Sequence, residues 1–133
     1  MSLTISRTTR KYPRLPYHDI KCAVLGSRYE LSLVFIGSKK ARQLNELYRG
    51  KQTVPDVLSF PLTKSAGEIY LCLPKIKHSH AQYNHTYEEH VGFLFIHGLL
   101  HLKGYQHGAT MEQVEMRYAR RFIFAGKQNQ NDS

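Results

Sequence analysis

A chain of 133 residues, 41% hydrophobic and 22% charged, suits one globular domain that buries its own core, and its apolar runs fall well short of the ~20 residues that cross a bilayer. Nineteen Lys and Arg against ten Asp and Glu leave a formal charge of +9, an excess that attracts polyanions; with no polybasic block or basic amphipathic helix to single out a membrane, nucleic acid is the better match. Met1 to Arg10 holds no apolar h-region, and Cys22 and Cys72 form no C-x-x-C pair, so neither a secretory leader nor a disulfide framework is expected and the setting is expected to be cytoplasmic.

Strands and helices alternate along the chain. Leu3 to Ser6 reads as a short first strand, and Tyr17 to Leu25, after Pro13 and Pro16, as a helix. Glu30 to Ile36 (ELSLVFI) is rich in apolar and β-branched residues and stops at Gly37, which marks a strand. Ser38 then stands as the N-cap of a helix reaching about Tyr48 and ended by Gly50. Val57 to Phe60 and Glu68 to Leu73 read as strands closed by Pro61 and Pro74. Thr86-Tyr87-Glu88-Glu89 fits a capping box ahead of an apolar run. A helix is expected from there to about Lys103, ended by Gly104, with Val91, Leu94, Phe95, Gly98 and Leu102 on its packing face. Thr110 with Gln113 repeats the capping pattern and opens a last helix to about Phe124. Four strands alternating with helices argue for an α/β or α+β domain on one sheet, spanning 1–125, followed by a polar tail over 126–133 that is expected to be disordered.

Residues 97 to 108 read HGLLHLKGYQHG. His97 and His101 lie four apart on the expected helix and share a face, with Cβ atoms about 5–6 Å apart, so both imidazoles can converge on one ion. Gly104 breaks the helix and lets the chain turn to bring in His107. Three nitrogens on a tetrahedral ion leave the fourth position to water, the arrangement of a catalytic rather than a closed structural site. Neutral imidazoles suit one zinc ion per chain, although ligand type alone also admits nickel and copper. The plain alternative is chance, because the chain has eight histidines; a third histidine at a fixed offset beyond a helix-breaking glycine argues against it. His78, His80, His85 and His90 carry no such pattern and read as ordinary residues, although His90 falls one helical stripe from His97. Metzincin proteases share the spacing as H-E-x-x-H-x-x-G-x-x-H, with the glutamate as general base. Gly98 occupies that position here, so the base must come from elsewhere or the substrate must bring its own nucleophile, as RNA does with its 2′-hydroxyl.

HGLLHLKGYQH resembles the signature of the YbeY family, H-G-x-L-H-L-x-G-Y-D-H. Tyr48-Arg49-Gly50-Lys51 followed by Asp56-Val57-Leu58-Ser59-Phe60-Pro61 resembles that family's Y-R-x-K-D-x-P-T-D-V-L-S-F-P segment, and Gly67-Glu68-Ile69 its G-D-I strand start. The resemblance covers roughly residues 30 to 124. It implies an α/β fold with a mixed sheet, here of about four strands, packed against helices, and zinc on His97, His101 and His107 at one end of a cleft. The implied activity is single-strand-specific endoribonuclease action in ribosomal RNA maturation, notably at the 3′ end of the small-subunit RNA, and in ribosome quality control. Arg49 matches the family's arginine, and a guanidinium facing the metal can hold a phosphate in bidentate fashion. Three departures stand out: Gln106 where the family has aspartate, Gln52 in place of an acidic residue, and Val54-Pro55 in place of Pro-Thr. They bear on rate more than on metal binding.

Ser59, Tyr105 and Gln106 are candidates to touch substrate or support the ligands; Asp56 and Ser59 can line the cleft, although an Asp before a strand and a Ser within one are usually structural, and Tyr105 and Phe60 are candidates for stacking on bases. Arg117, Arg120 and Arg121 share a face of the last helix and read as a solvated stripe before a phosphate-tracking one. Cys72 reads as core. Besides a zinc-dependent endoribonuclease acting on single-stranded RNA or ribosomal RNA, two other functions fit: a non-catalytic, zinc-containing ribosome-assembly factor, favoured by Gln106, and a metalloprotease, disfavoured by Gly98.

Overall fold

Alternation within ELSLVFI places Leu31, Leu33 and Phe35 on one face of strand β2 (Glu30–Ile36), and all three are buried, as are Ile69 and Leu71 opposite them on β4 (Ala66–Cys72). The computed structural model describes residues 2–8 and 11–124, so the tail expected over 126–133 lies outside the described residues. Among these, β1 (Leu3–Arg7), β2 and β4 run parallel, and β3 (Val57–Thr63) returns antiparallel to β4, giving a mixed sheet of order β1-β2-β4-β3. Helix α1 (Tyr17–Leu25) carries the crossover from β1 to β2. Helix α2 (Ser38–Arg49) follows β2 and covers the opposite sheet face with a small cluster around Ile36, Ala41 and Cys72. The expected α/β domain built on one four-stranded sheet is the one that forms.

The large core lies on the other face, under α4 (Tyr87–Lys103). Thr86 caps this helix: its hydroxyl accepts from the Glu89 amide at 3.1 Å, and the Glu89 carboxylate accepts from the Thr86 amide at 2.8 Å. The expected packing face is too narrow. His90, Gly92, Ile96, Leu99 and Leu100 are buried as well, because α4 is enclosed by the sheet, α1 and α5 (Ala109–Phe122). Each large apolar side chain so buried contributes about 1.5–3 kcal/mol before the entropy of ordering it. The enclosure holds the histidine-bearing turns of α4 on a rigid rod.

Four local expectations need correction. Ser38 is the first helical residue rather than the cap; Gly37 caps α2, and the Ser38 hydroxyl faces the buried Cys72 thiol instead. Thr110 sits inside the first turn of α5, whose cap is Gly108 with no side-chain bond, so the second capping box does not form. Strand β3 does not stop at Pro61 but continues to Thr63 with a register slip between them. It is an edge strand, where a missing N–H costs no ladder bond. Leu73 does not end β4; it opens α3 (Leu73–Ser79), with Pro74 in the first turn where proline is tolerated, and a 3-10 turn (His80–Tyr83) follows.

Candidate metal centre

His97 and His101 stand one turn apart on α4, and their Nε2 atoms are 3.1 Å from each other. The helix ends at Gly104 with φ 112°, a left-handed conformation that glycine adopts without the penalty of a Cβ. The chain reverses there and presents His107, which is exposed, so that one nitrogen from each of the three rings lies within 4.8 Å of the others.

The opposite edges of two of the rings are held. The Glu115 carboxylate of α5 accepts from His97 Nδ1 at 2.6 Å, and the Tyr105 carbonyl accepts from His101 Nδ1 at 3.1 Å. A carboxylate and a carbonyl only accept, so each ring in its neutral form carries its proton on Nδ1 and turns an Nε2 lone pair toward the other. Two lone pairs at 3.1 Å repel unless a cation or a proton lies between them. The donor set therefore fits a divalent ion that prefers nitrogen. Burial, and next the neighbouring His97, hold His101 below the ordinary histidine range, which favours the neutral form that ligates.

The histidines form one wall of a hollow of about 360 Å³ whose other wall is Arg49, Asp56, Val57 and Ser59. Arg49 is the last residue of α2, and Val57 and Ser59 point inward from β3. Ser59 donates its hydroxyl to the Gly98 carbonyl at 3.1 Å and so ties β3 to α4. Gly98 itself faces the sheet: a Cβ there would meet Ser59 Oγ at 2.9 Å and Ile69 Cδ1 at 3.1 Å. Two larger hollows, of about 830 Å³ along α5 and 760 Å³ beside β1, have basic residues in their lining but gather no metal-ligating set among the described residues.

The remaining expected site residues fall as follows. Tyr105 reaches His101 through its carbonyl, while its ring packs against the core. Gln106 is exposed, and the carboxylate on a ring nitrogen comes from Glu115, which sequence reasoning missed. Its signal was present: Met111, Glu115 and Ala119 form the buried stripe of α5, and a lone acid on an apolar stripe demands a partner. His90 supports no ring of the centre. It is 1% exposed and belongs to a second cluster, with His85 Nδ1 at 3.0 Å from His90 Nδ1 and His80 Nδ1 donating to the His85 carbonyl at 2.8 Å. Burial, and next His85, push the pKa of His90 down to about 4.

A family model described as endoribonuclease YbeY matches residues 9–127. The chain is similar to proteins named endoribonuclease YbeY. That of Alkaliphilus metalliredigens is 39% identical over 100 residues, covering 67% of this chain and 64% of the relative. That of Bdellovibrio bacteriovorus is 40% identical over 93 residues, covering 68% and 62%. The chain thus spans 64% and 62% of the length of these two curated relatives, a little under two thirds. The solution structure of a Thermotoga maritima protein matches 98% of this chain and 95% of its own with a TM-score of 0.68 at 22% identity, a likeness of fold.

Proposed function

This chain belongs to the YbeY endoribonuclease family, and from that premise we propose that it is a zinc-dependent endoribonuclease that cuts single-stranded ribosomal RNA, with His97, His101 and His107 as the metal ligands. In this reading it acts in the cytoplasm on the small-subunit RNA 3′ end and in ribosome quality control. No helix among the described residues is long and apolar enough to cross a membrane. The observation that carries the proposal is the pair of facing Nε2 atoms at 3.1 Å, with His107 completing the set, across a hollow from a guanidinium.

Zinc, when bound, supplies Lewis acidity and lowers the pKa of water toward neutrality. The chain's own residues do the rest. Glu115 and the Tyr105 carbonyl keep the protons of His97 and His101 on Nδ1 and leave Nε2 free to ligate. Arg49 binds the scissile phosphate through paired N–H bonds and stabilises the charge that grows on its oxygens. Asp56, the carboxylate on the hollow's wall among the described residues, receives the proton of the attacking hydroxyl as its oxygen bonds to phosphorus, and the proton then goes to the ribose oxygen whose bond to phosphorus breaks. Product ends identify that hydroxyl, because 2′-hydroxyl attack leaves a cyclic phosphate and water does not.

Gly98 weighs against a protease of the metzincin type, since position 98 faces Ser59 and Ile69 and has no room for a glutamate. Glu115 weighs against a purely structural zinc, since it places a carboxylate on a ligand ring although Gln106 offers none. The test is cleavage of a labelled single-stranded ribosomal RNA fragment, with metal content measured by plasma mass spectrometry. His101→Ala is expected to lose metal and cleavage together, and Arg49→Glu to keep metal and lose cleavage. A wild-type protein that holds one zinc and cuts nothing would return the choice to an assembly factor.

A further inference from the structure

Beside the histidine hollow, on the far side of the edge strand, lies an aromatic surface with no role so far. Tyr48, Leu47 and Leu62 are 62%, 73% and 60% exposed, unusual for side chains of this size. The Tyr48 ring lies 5.0 Å from Phe60, and Phe60 lies 5.8 Å from Tyr70, so Tyr48 rests on a fixed aromatic floor rather than hanging free. Tyr70 is itself anchored, its hydroxyl donating to Glu68 at 3.4 Å.

Position gives the patch its meaning. Tyr48 immediately precedes Arg49, which lines the hollow, and Phe60 immediately follows Ser59, which also lines it. Alternation along β3 turns Val57 and Ser59 toward the histidines and Phe60 toward α2. β3 is the sheet's edge, so among the described residues its outer side carries no neighbouring strand. A polymer lying along that edge meets the hollow on one side and the aromatic floor on the other. The local charge selects the polymer: between Ser38 and Lys51 stand Lys39, Lys40, Arg42, Arg49 and Lys51 against the single carboxylate of Glu46. Apolar rings beside concentrated positive charge match a strand whose backbone is anionic and whose bases have open faces.

We propose that Tyr48, backed by Phe60, is a base-stacking shelf that receives a nucleotide of single-stranded RNA next to the phosphate held in the histidine hollow, a proposal that rests on the endoribonuclease reading. Stacking is indifferent to base identity, so the shelf confers preference for single strands over duplexes without a sequence preference. Of the two rings that the sequence offered for stacking, Phe60 serves as floor, Tyr105 is half-buried against the core, and exposed Tyr48 takes the contact.

The test uses two fluorescein-labelled 2′-O-methyl octamers of equal phosphate count, one with bases and one fully abasic, titrated by anisotropy. Tyr48→Ala is expected to bind the base-bearing octamer at least about fivefold more weakly, the lower end of what one stacked base contributes, and to bind the abasic octamer as the wild type does. Tyr48→Phe should restore wild-type affinity. The chain has no tryptophan, so Tyr48→Trp introduces a single reporter, whose emission should be quenched by the base-bearing octamer and not by the abasic one. Equal binding by Tyr48→Ala, an equal loss for both octamers, or an unquenched tryptophan overturns the shelf and leaves the patch to a protein partner. A wild-type protein that neither binds nor cuts single-stranded RNA overturns the endoribonuclease reading with it, whereas one that cuts RNA while Tyr48→Ala binds unimpaired overturns the shelf alone.

Discussion

Replacing Glu115 by glutamine tests the centre at its least obvious point. Glu115 is 7% exposed, and its carboxylate accepts from His97 Nδ1 at 2.6 Å, the length of a charge-assisted hydrogen bond. Glutamine keeps the size and an accepting oxygen but removes the negative charge that makes His97 a stronger donor to a cation. Partners of this kind are worth roughly 10- to 100-fold in metal affinity, which converts to ~1.4–2.7 kcal/mol. Competition for zinc against a chromophoric chelator reads this directly. Glu115→Gln should bind zinc at least about tenfold more weakly, while its metal-free melting temperature stays close to wild type, since removing a buried charge also removes its desolvation cost. Zinc affinity within twofold of wild type would refute the assignment of Glu115 as the orienting group. A collapse of the metal-free fold would instead mean that the carboxylate holds α5 against α4.

Other perturbations probe the scaffold. His90 has a folded pKa near 4 against an ordinary 6.5, so the unfolded chain binds its proton first and stability falls as the pH drops from 6.5 toward 4. Between pH 8 and pH 5 this one group costs about 2 kcal/mol. Urea unfolding of wild type and His90→Phe at both pH values should show the loss shrinking by that amount in the variant, and identical slopes would exclude the assignment. Gly98→Ala drives a Cβ to 2.9 Å from Ser59 Oγ and 3.1 Å from Ile69, and should cost ~1–3 kcal/mol in thermal unfolding; an unchanged melting temperature would mean α4 can lift off the sheet freely. Thr86→Ala removes half of the capping box on α4 and should cost about 1 kcal/mol while leaving zinc content unchanged.

What the sequence made legible was local. The Thr86–Glu89 box, the spacing of His97 and His101 and the stop at Gly104 depend on one helix and its ends, and each lies where the chain pattern placed it. What escaped was set by neighbours distant along the chain. Pro61 reads as a strand stop, yet it stands inside β3 because that strand is the edge of the sheet among the described residues, a fact of sheet order that no window of residues contains. The cap of α5 falls at Gly108 rather than Thr110, since the turn that delivers His107 has already fixed where the helix begins. Gln106 drew attention because it departs from a motif, but a motif records which residues are close in sequence. The carboxylate that orients His97 is eighteen positions away and arrives through the packing of α5 on α4. The same holds for Tyr48 and Tyr105. Both are tyrosines beside site residues, and only the folded chain leaves one exposed next to Arg49 and lays the other half-buried against the core. A substitution within the motif need not disable the centre when the role it suggests is filled from another helix, and for this chain the residue to change first is therefore Glu115 rather than Gln106.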